Sequence, residues 1–558
     1  MPGTDRPAEK AAAPSFRTLA QQAEKQPPCQ VHCPNSGDVR GWLGIIAQHE
    51  KNGLTLDQAF DEAWGRIALL NPLPAAIARI CPHPCEDRCI RSDKDGAVSI
   101  NALERFLGDW ALSRTLPLPS VMPRRHEESI GVIGSGPASL SFAYQMARRG
   151  YGVTVYERGE SIGGMLRRAI PEYRLPHDVL DAEVNRLLEL GITLKNNTDI
   201  RSAIGFEELR DQHDMVFLGL GAQAARRLGI PGEDGPCVTA GIDYLRERKQ
   251  HSQSLDGRRV LVVGGGNTAI DAARSALRDG AHVTLLYRRS ETEMPAIAAE
   301  VTDARLEGVE FRFLVSPTRI IRDGDEITGV EIRPMRLGEP DAQGRRRPIA
   351  GKGPPQVLAA DLVLSAVSQA PDWHGLEAIL DEGGAPHADQ DGRIDKGLWA
   401  GGDDRGAGIA GNAIAQGRFA AESAHAELRG EPAPRLQAHN QAVQGECVQH
   451  DYYANRERGE RPRLPQLQQL ADPDAEIDQT ISPEQAYREA TRCMSCGLCF
   501  DCQQCFMYCN AAGFTRVTET RPGNYFVLAL EACEGCGKCV ELCPCGYLEL
   551  RDTEVAPQ

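Results

Sequence analysis

No stretch of about 18 consecutive apolar residues occurs in the 558-residue sequence, so a membrane-spanning helix is not expected. The first residues, MPGTDRPAEKAAAPSF, lack an apolar core after a basic segment, which excludes a typical secretory signal. A net charge of −16 leaves no basic excess and argues against a general nucleic-acid-binding protein. We therefore expect a cytoplasmic protein with no membrane and no nucleic-acid partner.

Cysteine is nearly missing from the middle of the chain, where only Cys237 and Cys447 occur. Five of the 18 cysteines lie at positions 29–89, and eleven lie at positions 493–545. Secreted disulfide frameworks are usually small domains. A large chain without a signal, with cysteines two or three residues apart, is more typical of metal ligation.

The ends of the chain have patterns different from the middle. Residues 1–28 are polar and rich in alanine and proline, which predicts a poorly ordered start. The three-to-four spacing of apolar residues over 38–112 predicts helices. Residues 431–485 are rich in proline, glutamine and charge, and we expect a linker with some helix that lets the cysteine-rich tail move.

Short β-rich runs alternate with helical segments from Ile130 onward, as in parallel sheets covered by helices. Residues 130–157 and 259–288 are both strand–glycine turn–helix–strand units, which predicts two nucleotide-binding domains. The predicted strands are SIGVIGSG, YGVTVYER, DMVFLGLG, RRVLVVGGG, HVTLLYRR, ADLVLSAV and GLWAGGD.

The first glycine turn has the features of a dinucleotide site. Gly134 permits a tight turn, Gly136 lets the backbone approach a pyrophosphate, and Pro137 opens the helix whose N-terminus receives it. Glu157 ends the next strand, 21 residues after Gly136, where its carboxylate can accept hydrogen bonds from ribose hydroxyls. The third motif position is Ser139, a small departure from glycine, and a simple glycine turn is the alternative.

Two further glycine-rich segments favour FAD at this turn. The first, Ile162-Gly163-Gly164, follows soon after Glu157 and lets the backbone come close to a ligand. The second, GLWAGGDDRGAGIAGNAIAQG, resembles the closing motif of flavoproteins with two dinucleotide domains, where an aspartate holds the ribityl chain. A glycine-rich helix cap is the alternative. The expected FAD-binding residues are Gly134, Gly136, Pro137, Glu157, Gly163, Gly164, Gly402, Asp403 and Ala413.

The second glycine turn predicts a nicotinamide site. Gly264, Gly266, Asn267 and Thr268 follow the strand VLVV and open a helix. The next strand ends in Arg288-Arg289, at the place that corresponds to the acid of the first unit. Guanidinium groups there can bind the 2′-phosphate of NADP, whereas an acid would favour NAD. We expect an NADPH preference or use of both nucleotides, and a solvated arginine pair is the alternative.

The C-terminal cysteines repeat the spacing of bacterial ferredoxins. The run over 533–543 matches C-x2-C-x2-C-x3-C with its following proline, and the run over 499–509 repeats it without the proline. The fourth cysteine of each run serves the other cluster. Two [4Fe–4S] clusters are thus predicted, with ligands Cys499, Cys502, Cys505 and Cys543 for one and Cys533, Cys536, Cys539 and Cys509 for the other. The extra Cys493 and Cys496 leave a shifted ligand frame open, and zinc is the alternative metal.

The N-terminal cysteines lie in CQVHCP and CPHPCEDRC, on either side of a helical stretch. With INALERFLGDWAL, GVIGSGPASL, VVGGGNTAIDAAR and YRRSETEMPA, they make residues 29–428 similar to the glutamate synthase small-subunit superfamily, here with a ferredoxin-like tail. The resemblance implies an N-terminal [4Fe–4S] cluster on Cys33, Cys81, Cys85 and Glu104. Members carry a Cys-x2-Cys pair just before position 29 that is missing here. Cys29 and Cys89 are then left over from a lost cluster, or act as substitute ligands.

This resemblance implies a multidomain α/β architecture: a helical iron–sulfur domain, two Rossmann-like domains with the FAD domain interrupted by the NAD(P) domain, and a bacterial-ferredoxin-like domain. The expected segments are 1–125 (helical [4Fe–4S] domain), 126–240 (FAD domain, first part), 241–368 (NAD(P) domain), 369–430 (FAD domain, second part), 431–482 (linker) and 483–558 (ferredoxin-like domain).

The implied activity is hydride exchange between NAD(P)(H) and FAD, followed by single-electron transfer through about three [4Fe–4S] clusters to a protein partner. No catalytic acid or base is expected. The segment PPCQVHCPNSGDVRGWLGIIAQ most resembles iron–sulfur flavoproteins of dissimilatory sulfur metabolism, which implies the dissimilatory sulfite reductase system as partner. The alternatives are a glutamate synthase small subunit and an electron-transfer subunit for ferredoxin or a 2-oxoacid oxidoreductase. The family also suggests a homodimer.

Overall fold

Short helices build the N-terminal region of the protein. The computed structural model describes residues 15–119, 126–201, 205–250, 254–341, 344–432 and 442–555. Trp42, Phe60, Leu103 and Phe106 are buried together in the helical core. The elements are β1 (Ser15–Gln22), α1 (Pro28–His32), α2 (Val39–Ala47), α3 (Leu56–Ala68), α4 (Pro74–Ile80), α5 (Pro84–Asp87), α6 (Ser92–Asp95) and α7 (Ile100–Ser113).

The first α/β domain begins directly after the helical region. Its strands β2 and β3 are nearly all buried, because helices cover both faces of a parallel sheet. The elements are β2 (Ser129–Ile133), α8 (Pro137–Ala147), β3 (Gly152–Tyr156), α9 (Met165–Arg168), α10 (His177–Leu188), β4 (Thr193–Lys195), α11 (Phe206–Gln212), β5 (Met215–Leu218) and β6 (Ala224–Ala225).

The second α/β domain is inserted into the first. Its parallel sheet has the strand order β10-β9-β8-β15-β7. The antiparallel strands β11 to β14 form a separate sheet, which the sequence patterns did not predict. The elements are β7 (Val238–Ala240), α12 (Gly241–Arg248), β8 (Arg259–Val263), α13 (Asn267–Arg278), β9 (His282–Tyr287), α14 (Ala298–Glu307), β10 (Glu310–Phe313), β11 (Val315–Asp323), β12 (Glu326–Pro340), β13 (Arg346–Ala350), β14 (Gln356–Leu358) and β15 (Leu362–Ser365).

The chain then returns to the first sheet through β16 (Gln369–Ala370), β17 (Arg393–Asp395), β18 (Leu398–Ala400) and α15 (Ala410–Arg429). The completed sheet has the order β17-β18-β5-β2-β3-β4, and only β17 runs antiparallel to its neighbour. All seven predicted strands are present, and the interrupted arrangement of the two domains is confirmed. The second sheet already includes Val238–Ala240, so its boundary falls before residue 240.

The C-terminal region consists of short elements around the cysteine runs. A strand pair, β19 with β20, lies between two single-turn helices. The elements are α16 (Gln466–Ala471), α17 (Pro483–Ala490), α18 (Gln504–Tyr508), β19 (Phe514–Arg521), β20 (Asn524–Leu528), α19 (Lys538–Glu541) and β21 (Leu548–Val555).

The cysteine-rich tail is docked on the N-terminal region, so the expectation of a mobile tail is wrong. Strand β21 pairs antiparallel with β1 over eight residues. Lys25 forms an ion pair with Glu549 at 2.9 Å, and the Tyr525 hydroxyl donates to Gln48 Oε1 at 2.5 Å. The same contacts correct the prediction of a poorly ordered start for the described residues 15–28, because the partner strand lies more than 500 residues away and leaves no local signal.

The segment expected to be a loose linker is also held in place over its described part. We call residues 461–479 the strap. Glu476 in the strap pairs with Arg79 at 2.7 Å and with Arg105 at 2.8 Å in the helical region. Arg463 pairs with Asp303 of α14 at 2.6 Å. The strap therefore joins the helical region to the inserted α/β domain.

Replacing Arg492 tests the docking of the tail. This arginine is 1% exposed, pairs with Glu489 at 2.6 Å, and donates to the carbonyl oxygens of Asp95 and Ala97 at 3.0 Å. Arg492→Leu leaves the Glu489 carboxylate buried without its cation, which costs about 3–5 kcal/mol. We expect a lower melting temperature and faster proteolysis between residues 431 and 482. Arg488→Leu, at an exposed arginine of α17 four residues before Arg492, is the control, and equal melting of both variants contradicts the docking.

Candidate dinucleotide and iron–sulfur sites

Both glycine turns open into one cavity of about 1230 Å³. This volume exceeds the roughly 300–1,000 Å³ of an ordinary small-molecule pocket, so there is room for two dinucleotides. Residues of the first turn, the second turn, and the segment after β18 all line it. The expected residues that line the cavity are Gly134, Gly136, Pro137, Glu157, Gly164, Gly402, Asp403, Ala413, Gly264, Gly266, Asn267, Thr268, Arg288 and Arg289.

The first glycine turn is shaped for close approach of a ligand. Gly134 has a φ of +84°, and a Cβ there would lie 2.2 Å from the carbonyl oxygen of Gly219. Gly136 has an ordinary extended backbone, and a Cβ there would meet no atom within 4 Å. The first glycine thus serves the fold, while the second leaves open space at the N-terminus of α8. Free N–H groups of that helix can bind a pyrophosphate there.

Glu157 is fixed at the end of β3 before any ligand binds. It is 5% exposed and accepts hydrogen bonds from Ser135 Oγ and the Gly159 N–H, each at 2.6 Å. Arg168 pairs with the same carboxylate at 2.5 Å. The sequence suggested the acid but not these partners, which hold its carboxylate in place in the cavity lining.

The glycine pair after β3 packs on the first turn. Gly164 has a φ of +56°, and a Cβ there would lie 2.7 Å from the Cα of Gly136. The N–H of Gly163 donates to the carbonyl oxygen of Ser135 at 3.1 Å. Of this pair, Gly164 lines the cavity and Gly163 lies behind it.

Two adjacent aspartates after β18 have different roles. Asp403 lines the cavity, and its partial burial raises the pKa of its carboxyl. Asp404 is buried, does not line the cavity, and accepts hydrogen bonds from the N–H groups of Leu220 and Gly221 at 2.8 Å. Burial raises the pKa of Asp404 to about 7. Sequence reasoning did not single out Asp404, which holds the loop after β5 against this turn.

The second glycine turn repeats the geometry of the first. Gly264 has a φ of +154°, and a Cβ there would lie 2.2 Å from the Ala366 carbonyl oxygen, whereas a Cβ at Gly266 would meet nothing within 4 Å. Asn267 Oδ1 accepts a hydrogen bond from the N–H of Ile297 at 2.9 Å. Thr268 Oγ1 accepts one from Gln369 at 3.2 Å, so the chain returning to the first domain contacts this turn.

The two arginines after β9 are not equivalent. Arg289 is buried, donates to the carbonyl oxygen of Arg346 at 2.7 Å and pairs with Asp341 at 3.3 Å. Arg288 is exposed on the cavity and forms no ion pair within the described part of the chain. Arg289 therefore supports the β12–β13 hairpin, and Arg288 is the better candidate for a 2′-phosphate.

The N-terminal thiols form a group beside the cavity. Burial, together with the nearby Glu104 carboxylate, raises the pKa of Cys33 and raises that of Cys81 to about 12. Burial raises the pKa of Cys85, and the nearby Cys33, Cys81 and Glu104 raise it further. Burial also raises the pKa of Glu104 to about 7. Pro82, next to Cys81 in the chain, lines the dinucleotide cavity, so this group is adjacent to it.

The ferredoxin-type runs form two further groups. Cys499, Cys502, Cys505 and Cys543 line one small apolar cavity with Phe514 and Phe526. In the other group, burial and then the Cys533 thiol raise the pKa of Cys539 to about 11, with Cys509 and Cys536 also close. The structure thus brings together each predicted set. Cys29 and Cys89 do not join the N-terminal group, since the thiols near Cys29 are Cys89, Cys493 and Cys496.

No three of these thiols in the described part of the chain are arranged to hold a single metal ion. All 18 cysteines are free. Thiolates on one Zn²⁺, at about 2.3 Å from the metal, would lie within about 4 Å of one another. Among the described residues, no three His, Cys, Asp or Glu side chains converge to hold one ion. A four-iron cluster spreads its ligands over the corners of a cube and suits wider groups.

No helix in the described ranges is long and apolar enough to cross a membrane.

Adding a side chain at Gly136 tests the FAD site. The backbone there accepts any residue, and the space beside it is open in the folded chain. Gly136→Val should therefore fold and keep its iron, but lose FAD because the valine fills the pyrophosphate position. The measurement is the flavin-to-protein ratio after purification. Gly445→Val, at a glycine with open space outside the cavity, should keep its flavin. Normal FAD content in Gly136→Val contradicts the assignment.

Removing Arg288 tests the nicotinamide site. A hydrogen bond to a charged group contributes about 1.5–3 kcal/mol, so Arg288→Ala should raise the apparent KM for NADPH about tenfold or more. The KM for NADH should change little, because NADH lacks the 2′-phosphate. Arg305→Ala, an exposed arginine outside the cavity, is the control. Equal effects on the two nucleotides contradict the role of Arg288.

Two family models match the chain. Residues 128–417 match the pyridine nucleotide-disulphide oxidoreductase family. Residues 7–116 match dihydropyrimidine dehydrogenase domain II with its 4Fe-4S cluster. The match at 128–417 covers both α/β domains and both glycine turns, and the match at 7–116 covers the N-terminal thiols. FAD and NADP(H) are therefore the cofactors of the cavity, and the N-terminal region is a 4Fe-4S cluster domain.

Curated relatives agree with these matches. The NADP(+)-dependent formate dehydrogenase subunit beta of Moorella thermoacetica is 37% identical over 76% of this chain and 63% of its own length. The NADPH-Fe(3+) oxidoreductase subunit beta of Geobacter sulfurreducens is 40% identical over 62% of this chain and 51% of its own length. The chain thus spans between half and two thirds of these two relatives.

A third relative is matched over most of its length. The glutamate synthase [NADPH] small chain of Escherichia coli is 33% identical over 71% of this chain and 87% of its own length. The family resemblance of the sequence is confirmed. The chain belongs to the pyridine nucleotide-disulphide oxidoreductase family, in its glutamate synthase small-chain branch with an N-terminal 4Fe-4S domain.

Proposed function

We propose that the chain passes electrons from NADPH, through FAD and a row of iron–sulfur clusters, to a protein partner. The single observation that carries this proposal is the adjacency of three compartments. The two dinucleotide turns share one cavity, and Pro82 in the wall of that cavity is next to Cys81 of the N-terminal thiol group. FAD, when bound, accepts the two electrons of a hydride and releases them singly.

The proposed ligand sets follow the three thiol groups. Glu104 completes the N-terminal set, where a carboxylate takes the place of a fourth thiolate. Asn71 donates a hydrogen bond to Glu104 Oε1 at 3.2 Å and fixes its orientation. The sets are Cys33, Cys81, Cys85 and Glu104; Cys499, Cys502, Cys505 and Cys543; and Cys533, Cys536, Cys539 and Cys509.

The partner is proposed to be the catalytic subunit of a larger oxidoreductase. The relatives above are themselves called subunits or small chains, of a formate dehydrogenase, an Fe(3+) oxidoreductase and a glutamate synthase. These names favour an electron-input subunit, which includes the alternatives of a glutamate synthase small subunit and a ferredoxin or 2-oxoacid oxidoreductase subunit. Dissimilatory sulfite reductase is a narrower candidate, supported by the resemblance of residues 27–48.

Candidate partners can be compared in one assay. Purified, cluster-reconstituted protein is mixed anaerobically with NADPH and, in turn, a glutamate synthase large subunit, a ferredoxin and a dissimilatory sulfite reductase. NADPH oxidation that depends on one acceptor identifies the partner class. NADPH oxidation with dyes alone, and with none of the protein acceptors, contradicts an electron-input role toward these partners.

An exposed apolar surface next to the outermost thiols supports docking there. Helix α18 exposes Phe506, Met507 and Tyr508 by 47%, 63% and 51%. They lie between Cys505 and Cys509, which belong to the two ferredoxin-type groups. Contiguous apolar patches of this kind commonly mark protein interaction sites. We therefore place the partner at α18, beside the groups farthest along the chain from the flavin cavity.

A charge on this surface should weaken transfer to the partner. Met507→Asp is expected to raise the KM for the protein acceptor about tenfold, because burying an unpaired carboxylate in an interface is costly. NADPH-dependent dye reduction should not change. Leu306→Asp, at a 67% exposed leucine of α14, is the matched control. If both variants transfer electrons to the partner as well as the wild type, α18 is not the docking surface.

A further inference from the structure

Seven cysteines lie outside the three thiol groups, and four of these seven meet between the two ends of the chain. Cys29 lies on α1, Cys89 follows α5, and Cys493 and Cys496 follow α17. All four are partly buried. Cys493, Cys496 and Cys89 each act electrostatically on Cys29, and with burial they raise the pKa of its thiol. Cys493 and Cys89 likewise raise the pKa of Cys496, after burial. The three segments therefore bring their thiols to one place.

Hydrogen bonds between the segments that carry these cysteines hold this arrangement. Arg40 donates to the carbonyl oxygen of Cys496 at 2.9 Å and to that of Lys25 at 2.6 Å. The N–H of Lys25 donates to the carbonyl oxygen of Gly497 at 3.1 Å. Arg91, two residues after Cys89, donates to the carbonyl oxygen of Arg492 at 2.5 Å. These hydrogen bonds to backbone carbonyl oxygens keep the cysteine-bearing segments, and therefore their thiols, close together.

The turn at Cys493 has the same backbone form as the two ferredoxin-type turns. In the Cys-x2-Cys turns that start at Cys493, Cys499 and Cys533, the second residue after the first cysteine and the first residue after the second cysteine have positive φ. Their φ values are +52° and +75° at Ser495 and Gly497, +63° and +66° at Asp501 and Gln503, and +73° and +73° at Gly535 and Gly537. Ser495 is strained for a residue with a side chain, which marks a functional position. Its N–H donates to Cys493 Sγ at 3.4 Å.

Three buried arginines surround these thiols. Arg40, Arg91 and Arg492 are 5%, 2% and 1% exposed. Burying thiolates is costly unless cations or a metal compensate them, and guanidinium groups nearby favour the charged form. Each arginine also pairs with a carboxylate, Arg40 with Glu24, Arg91 with Asp95 and Arg492 with Glu489, so its charge is shared between that carboxylate and the nearby thiols.

We propose that Cys29, Cys89, Cys493 and Cys496 hold a fourth [4Fe–4S] cluster, with ligands from both ends of the chain. The tail pair Cys493-x2-Cys496 takes the place of the Cys-x2-Cys pair that is missing before Cys29. The site itself depends only on these four residues. Its role, unlike its existence, rests on the proposed function.

That role is a relay between the N-terminal group and the tail. Cys29 is four residues from Cys33, and Cys89 is four residues from Cys85, so short stretches of chain link this site to the N-terminal group. On the other side, only two residues separate Cys496 from Cys499. The cluster would accept one electron at a time from the N-terminal group and pass it on to the tail. The two electrons of a hydride would therefore cross in two successive transfers, and no atom would be transferred.

Iron content tests the site. The anaerobically reconstituted wild-type chain should contain about sixteen iron and sixteen sulfide atoms, rather than about twelve of each for three clusters. The double variant Cys493→Ser, Cys496→Ser should lose about four iron atoms and keep its FAD. Cys29→Ser should lose the same four. The matched control is Cys237→Ser with Cys447→Ser, which should keep all of them.

The outcomes separate this site from the proposed function. Wild-type protein with about twelve iron atoms overturns the fourth cluster, as does a double variant with the same iron content as the control. If the double variant does not fold, the wild-type count decides alone. Electron transfer to a partner is measured separately, so its failure would leave the iron result intact.

Discussion

Electrons pass between cofactors only when the protein holds those cofactors close together, and this constraint organises the whole chain. Hydride chemistry needs two dinucleotides side by side, which the two glycine turns provide in one cavity. The proposed single-electron path needs an iron–sulfur group close to that cavity, and Pro82, next to Cys81 in the chain, lines its wall. The pairing of the terminal strands and the contacts of the strap hold the thiol groups against the rest of the chain, as the proposed electron path requires.

A buried charge network fixes the two α/β domains relative to each other. Arg174 of the FAD domain binds Asp271 of α13 at 2.8 Å and Glu300 of α14 at 3.2 Å. Arg278 lies over the ring of Tyr173 at 4.1 Å. Buried ion pairs contribute little net stability, but breaking one leaves a costly charge, so they specify one arrangement. The proposed hydride transfer depends on that arrangement.

Local patterns in the sequence predicted much of this molecule, and long-range contacts explain what they missed. The glycine turns, the seven strands and the grouping of the ferredoxin-type cysteines follow from short spacings that a strand–turn–helix unit or a cluster dictates. The docking of the tail could not be predicted, because β1 and β21 carry no signal of each other. The same applies to Arg289, whose partners Asp341 and Arg346 lie in a hairpin that the patterns did not reveal. The role of Asp404 could not be predicted either, because its partners Leu220 and Gly221 lie in the loop after β5, about 180 residues earlier in the chain.

The order of reduction tests the central claim most directly. Oxidised, cluster-loaded protein is mixed anaerobically with NADPH, and flavin and iron–sulfur absorbance are followed together in a stopped-flow spectrometer. Flavin bleaching should come first, and bleaching of the clusters should follow without any added mediator. Reduction of the flavin with clusters that stay oxidised, or cluster reduction before the flavin, would contradict the account.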